Sequence, residues 1–257
     1  ITGSAFDDTL TGDASANTIT GGNGNDTIAG LGGVDTLDGG AGSDTADYSG
    51  AAAGVTASLI AATASNDGDG SSDTLNGFEN LTGSGFADSL EGEAGANVLT
   101  GNGGDDLLVG HGGADTIDGG GGTDTVDYSS AAGGVTANLT TGAATNDGDG
   151  SSDTLSNLEN ITGSDFNDTL TGNVSDNIIL SGLGNDTISG RGGNDTLDGD
   201  VGTDTADYSG AAAGATVNLT TGAAANDGDG GADTLSGFEN ITGSAFDDTL
   251  TGDASAN

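Results

Sequence analysis

The sequence predicts an all-β fold, a right-handed parallel β-roll whose short strands are joined by glycine- and aspartate-rich turns. Three observations lead there. Glycine supplies 53 of the 257 residues, while Pro, Cys, Met and Trp are absent. Asp recurs every nine residues, at Asp26, Asp35 and Asp44, within "GGNGNDTIAGLGGVDTLDGGAGSDTADYS". The pattern also returns every 80 residues: "ITGSAFDDTL" at residue 1 reappears as "LTGSGFADSL" at 81, "ITGSDFNDTL" at 161 and "ITGSAFDDTL" at 241.

The organisation follows from these periods. Repeat units span 1–80, 81–160 and 161–240, and 241–257 begins a fourth. Residues 1–17 and 241–257 are the same string, so the longer period is 240 residues and the chain reads as a window cut from a longer array. A full-length chain ending near Asn257 with a capping segment would contradict that reading.

Within each unit the first half is five nonapeptides, "GSAFDDTLT", "GDASANTIT", "GGNGNDTIA", "GLGGVDTLD" and "GGAGSDTAD" over residues 3–47, recurring at 83–127 and 163–207. Glycines at the first, second and fourth positions permit a tight turn. Asp at the sixth adds a carboxylate to it. The apolar eighth residue (Leu10, Ile19, Ile28, Leu37, Leu90, Leu99, Leu108, Ile117, Val126) falls in a three-residue strand and points inward. Two nonapeptides make an 18-residue rung, with rungs about 4.8 Å apart. Asp8, Asp26 and Asp44 then share one edge, and Asn17 and Asp35 the other.

The remaining 35 residues, "YSGAAAGVTASLIAATASNDGDGSSDTLNGFENLT" in the first unit, are less regular. "GVTASL" alternates as a longer strand does. "GDGSSDTLN" is a degenerate nonapeptide keeping Asp73 and Leu75, and "GFENLT" is a shortened half-turn. Together they predict about one and a half wider rungs, four rungs per unit and a continuous rod. "NDGDGSSD", with Asp67, Asp69 and Asp73, alternates carboxylates as the start of an EF-hand loop does and fits either a cation-binding loop or a solvated acidic loop.

Charge sets the partners. There are 36 Asp and 5 Glu against one Arg and no Lys, a formal charge of −40. Such a field repels nucleic acid and anionic membranes and attracts cations. No apolar run approaches the roughly 20 residues that span a bilayer, so membrane insertion is not expected, and no signal peptide is visible. The absence of Cys suits an extracellular location. Carboxylates stacked at rung spacing repel by about 1 kcal/mol per pair in water and roughly 3 to 4 at an effective dielectric of 20. A hard dication reverses that sign. Calcium suits the turns because it takes six to eight oxygens in flexible geometry, mixing carboxylates and carbonyls, whereas magnesium demands a tighter octahedron. With so thin a core, folding and ion binding are expected to be one process.

The expected metal ligands are Asp8, Asp26, Asp35, Asp44 and Asp73 in the first unit, Asp88, Asp106, Asp115, Asp124 and Asp153 in the second, and Asp168, Asp186, Asp195, Asp204 and Asp233 in the third, followed by Asp248. Turn carbonyls of Gly21, Asn23, Gly39, Gly101, Gly103, Gly119, Gly190 and Gly192 join them. The loop carboxylates Asp67, Asp69, Asp147, Asp149, Asp227 and Asp229 are a further candidate set. Leu31, His111 and Arg191 share the second position of equivalent nonapeptides and read as exposed turn residues. Tyr48, Tyr128 and Tyr208 read as packing residues. The lone His does not recur between units, so a nucleophile–base pair has no material and no enzyme activity is expected.

"GGNGNDTIA" and "GGGGTDTVD" resemble the repeats-in-toxin, or haemolysin-type calcium-binding, family, matching G-G-x-G-x-D-x-U-x at each fixed position; "GLGGVDTLD" and "GHGGADTID" match at all but the second. The resemblance implies a β-roll with several calcium ions between turns, secretion of the unfolded chain by a type I channel, and folding outside a bacterial cell. Asn17, Asn97 and Asn177 replace the Asp, and "GSAFDDTLT" lacks the inner glycine, so calcium should be weaker or absent there. The leading expectation is a structural rod in a filament, surface layer or adhesin stalk, able to self-associate or continue in a longer array. The alternatives are a secretion and folding module of a larger toxin or secreted enzyme, and an ice-binding solenoid using the Thr after each Asp.

Overall fold

The computed structural model describes residues 1–254, so the last three residues of the predicted fourth repeat lie outside the described residues. Its regular elements are all β-strands, most of them three residues long. Two compact units are present, one of Ile1–Thr125 with Ser156–Leu158, the other of Val126–Leu155 with the chain from Glu159 onward.

In the first unit the chain alternates between two sheets. One stacks Thr9–Thr11, Thr27–Ala29, Thr45–Asp47, Asn80–Thr82, Val98–Thr100 and Thr116–Asp118, all parallel. The other begins Thr18–Asn23, Thr36–Ala41, Asp73–Asn76. The 18-residue register is the expected one, pairing Leu10 with Ile28 and Ile19 with Leu37. In most of the three-residue strands only the middle residue is buried. Ile19, Ile28, Leu37, Leu81, Leu90 and Leu99 are wholly buried, a column one side chain wide. Leu10, covered by a rung on one side only, is half-buried. The flanking Thr residues form outward ladders such as Thr9, Thr27, Thr45, where β-branched side chains suit the pleat.

The 35-residue segment departs from the expected wider rungs. Thr56–Ser58, Thr63–Asn66 and Asp73–Asn76 form an antiparallel meander inside the second sheet. Its far strand pairs parallel with Ser89–Glu91 and its near strand with Thr36–Ala41. Val55, Ala57, Leu59 and Ala64 face the core from it. Its first turn needs a left-handed residue, Ala62 at φ 54° here and Gly142 and Gly222 at the equivalent places. The alternation in "GVTASL" is therefore real, but small residues let the chain double back instead of widening the coil.

A unit thus contributes seven half-turns, at Thr9–Thr11, Thr18–Asn23, Thr27–Ala29, Thr36–Ala41, Thr45–Asp47, Asp73–Asn76 and Asn80–Thr82, not the eight that four rungs would need. An odd number sends equivalent residues to opposite sheets. Thr9–Thr11 and Ser89–Glu91, 80 residues apart, lie in different sheets of the first unit. In the second unit the meander of Thr136–Asn138, Ala143–Asn146 and Asp153–Ser156 lies in one sheet and that of Thr216–Asn218, Ala223–Asn226 and Asp233–Ser236 in the other.

Candidate metal centre

The sixth-position Asp residues stack along the turn edges. Asp8 N–H donates to Asp26 Oδ1 at 2.8 Å, and Asp26 N–H to Asp44 Oδ1 at 2.7 Å. On the other edge Asn17 N–H donates to Asp35 Oδ1 at 2.7 Å and Asp35 N–H to Asp73 Oδ1 at 3.0 Å. Asn97 to Asp115, Asp88 to Asp106, Asp106 to Asp124, Asp168 to Asp186, Asn177 to Asp195 and Asp186 to Asp204 repeat the bond. One carboxylate oxygen is therefore spent on the backbone of the preceding rung.

The other oxygen is the informative one. Oδ2 of Asp26, Asp35, Asp44, Asp106, Asp186, Asp195 and Asp204 is buried without a hydrogen-bond partner. That of Asp26, Asp35, Asp44, Asp106 and Asp195 lies where a side chain of the first-position glycine would begin: a Cβ on Gly21 would overlap both Asp26 Oδ2 and the Gly39 carbonyl oxygen, and one on Gly101 both Asp106 Oδ2 and the Gly119 oxygen. The Gly21 carbonyl stands in the same relation to Asp8, that of Gly101 to Asp88, and that of Gly190 to Asn177. At Asp26 and Asp106 two acceptors converge with no donor between them, an arrangement a buried pair of oxygens does not adopt unaided. An oxygen-only set of carboxylate and carbonyl fits calcium. Among the described residues no three His, Cys, Asp or Glu side chains are grouped to hold a metal by themselves, so main-chain oxygens must complete any site.

Not every predicted ligand keeps a free oxygen. Asp88 accepts from Val55 N–H, Ser84 N–H and the Ser84 hydroxyl, and Asp168 from Val135 and Ser164 in the same way. Asp8 and Asp248 are likewise engaged by Ser4 and Ser244. Asp73 and Asp233 receive the Tyr48 and Tyr208 hydroxyls at 3.2 and 3.0 Å, and Asp153 that of Tyr128 at 3.0 Å. The tyrosines are buried, as packing predicted, but each also anchors a carboxylate. Where Asn replaces Asp, the amide does an ion's work: Asn97 and Asn177 Nδ2 donate to the carbonyls of Glu79 and Glu159 at 2.7 Å. Of the loop carboxylates, Asp67, Asp147 and Asp227 are buried, while Asp69, Asp149 and Asp229 are exposed and accept from Ala52, Ala132 and Ala212 N–H. Asn23 extends a strand and Gly103 forms a bridge to Gly121.

Two residue sets escaped the sequence reading. Glu79 and Glu239 stand in the Asp column, accepting from Asp44 and Asp204 N–H at 2.8 and 2.9 Å. Fifth-position Asp and Asn residues build an outer ladder running the opposite way, Asn25 N–H to Asp7 Oδ1 and Ser43 N–H to Asn25 Oδ1. The recurrence of Asp or Asn just before the sixth-position Asp was the available signal. Leu31, His111 and Arg191 hold left-handed conformations at φ 62°, 61° and 73°, a position glycine occupies in Gly22. His111 Nε2 reaches Glu91 Oε1 at 2.9 Å.

A scan of protein-family models matches the RTX calcium-binding nonapeptide repeat to residues 1–28, 11–46, 73–108, 82–117, 100–130, 158–188, 175–206 and 235–257, well over half of the chain. The chain belongs to the RTX calcium-binding repeat family. A search of curated proteins gave no match. As RTX nonapeptides, the turns bind multiple calcium ions, and the all-strand roll is the fold that goes with them.

Without calcium the RTX turns are electrostatically unfavourable. Burial, with the charges of Asp88, Asp124 and Asp105 behind it, pushes the Asp106 carboxyl up to about 6. Burial and neighbouring Asp233 and Asp227 push Asp195 to about 7, and Asp204 reaches about 6 for the same first cause. A carboxyl raised in the folded state contributes stability that is complete below its unfolded pKa, near 3.9, and is lost as pH rises through the folded value. The metal-free RTX chain is therefore expected to gain β structure as pH falls from 8 toward 5, followed by circular dichroism in chelator. A β signal that is flat or falling over that range would contradict it.

Proposed function

We propose that the chain is an extracellular structural repeat of a bacterial surface protein, folded by calcium into a stiff element of a stalk, filament or surface layer. The observation that carries this reading is the repetition of one cation-ready turn along the length of each compact unit, with acceptor oxygens facing each other across successive rungs. Chain length is spent on adding rungs, which extends a solenoid without creating a new surface chemistry. Calcium at 10⁻⁴ to 10⁻³ M, the range of extracellular modules, separates an unfolded chain during export from a folded one outside. We further propose the 80-residue repeat as the building unit, with Asp26, Asp35, Asp44 and their equivalents as the principal ligands.

A mechanical experiment tests the role. Held by its ends in chelator, the chain should stretch as an entropic coil toward a contour length of about 900 Å, at roughly 3.5 Å per residue. In calcium it should resist extension until rungs peel in discrete steps. Coil-like stretching in both conditions would overturn the load-bearing role, as would localisation of the protein inside the cell.

A further inference from the structure

The turn at 190–195 differs from a regular nonapeptide turn in what covers it. Where one nonapeptide rung follows another, the first-position carbonyl of the next rung stands over the carboxylate, as that of Gly39 does over Asp26. Over Asp195 the next layer is the loop between Ala223–Asn226 and Asp233–Ser236. There Gly231 presses so closely on the Gly193 carbonyl that a Cβ on it would overlap that oxygen, and Asp227 Oδ2 lies 2.9 Å from where the Cβ would stand.

Asp227 is wholly buried. Its Oδ1 accepts from the N–H groups of Asp229, Gly230 and Gly231 at 2.7, 2.8 and 2.9 Å, which fixes the side chain and leaves Oδ2 without a partner. Oδ2 of Asp195, 2% exposed, is in the same condition, and the charges of Asp233 and Asp227 both oppose its ionisation. Asp233 is not available to relieve either, since Asp195 N–H and the Tyr208 hydroxyl take its two oxygens. The first repeat has the same parts: Asp67, 1% exposed, accepts from Asp69 and Ser71 N–H through Oδ1, its Oδ2 and that of Asp35 are both unpartnered, and Asp73 is held by Asp35 N–H and Tyr48. Asp67 and Asp227 fall outside every segment matched by the family repeat.

We propose that Asp195 and Asp227, and likewise Asp35 and Asp67, each hold a calcium ion of a second kind, through their Oδ2 atoms and a main-chain carbonyl such as that of Gly193. The ion joins a regular turn to the antiparallel insertion, so a loop carboxylate takes the part that a glycine carbonyl plays elsewhere. Two buried carboxylates with no donor between them are balanced by a divalent ion, and oxygen-only ligation selects calcium over softer metals.

The chain's three tyrosines and lack of Trp supply the test. Tyr48 and Tyr208 bond to Asp73 and Asp233, next to the proposed ions, so terbium replacing calcium there should emit when tyrosine is excited. The full chain carrying Asp67→Asn and Asp227→Asn keeps the Oδ1 acceptors. It is expected to bind two fewer calcium ions by native mass spectrometry and to lose about half or more of the tyrosine-sensitised emission, consistent with ligand loss at those sites. An unchanged ion count and emission, the result if a shared proton joins the carboxylates, would overturn the proposal while leaving calcium-dependent folding of the nonapeptide turns intact. Should the double variant not fold, terbium titration of the unaltered chain decides: folding with no tyrosine-sensitised emission overturns it.

Discussion

Calcium removal is expected to unfold the chain. In excess chelator at neutral pH the β signal should collapse and the hydrodynamic radius should rise toward that of an unfolded polymer. The reason lies in the turns and not in the core. Ile19, Ile28 and Leu37 bury one side chain per nine residues, which does not offset the ordering of nine backbone residues. Against that thin column stand the buried, unpartnered oxygens of Asp26, Asp35, Asp44 and Asp106. Each ion at a hundred times its dissociation constant contributes about 2.7 kcal/mol. A few such ions equal the 5–15 kcal/mol that typically separates a folded domain from its unfolded chain. Removal of the ions takes away that term and returns the carboxylates to mutual repulsion.

The second large effect is expected from a single methyl group. Gly101→Ala places a Cβ where Asp106 Oδ2 and the Gly119 carbonyl converge. Gly101 has no left-handed φ, so the penalty is steric and not conformational. Overpacking costs about 1–3 kcal/mol, and displacing the two oxygens is expected to weaken calcium binding between the rungs as well. The variant should require several-fold more calcium to fold, read as the midpoint of a calcium titration followed by circular dichroism. Gly85→Ala is the control: a Cβ there meets nothing within 4 Å, and its midpoint should match that of the parent. Equal midpoints for all three chains would mean that the first-position glycine is not shaped around the carboxylate.

Much of this was legible from spacing. A nine-residue beat with one apolar residue per beat dictates an 18-residue register, and Leu10 opposite Ile28 and Asp8 beneath Asp26 follow from it. The site was legible for the same reason, because residues in phase share an edge. What spacing does not carry is strand direction. Ala57 and Ala64 alternate with polar neighbours as any half-buried strand does, yet they pair antiparallel. Nor does spacing show a substitution by reach. Glu79 fills an Asp place because the half-turn before it is shorter and its side chain is one carbon longer. The tyrosine bonds to Asp73 and Asp233 join residues 25 apart through the meander, a contact visible only once the chain's return path is known.

The odd count of half-turns also changes how the repeat is read. An 80-residue period suggests that each unit presents the same face, but Thr9–Thr11 and Ser89–Glu91 sit in different sheets. Surface features such as the exposed Phe6 and Phe86 alternate accordingly.

Asp106→Asn tests most directly whether calcium holds the stacked carboxylates in place, because the amide keeps the Oδ1 that accepts from Asp88 N–H and exchanges the charged Oδ2 for an uncharged NH2 donor. Two midpoints would be measured on the variant, the calcium concentration that folds it at neutral pH and the pH that folds it in chelator. The calcium midpoint should rise, since a ligand is lost. The metal-free folding midpoint should move to higher pH, since a carboxyl that burial raises to about 6 no longer opposes folding as it ionises. A variant that folds less readily in both titrations, or is unchanged in both, would contradict the account.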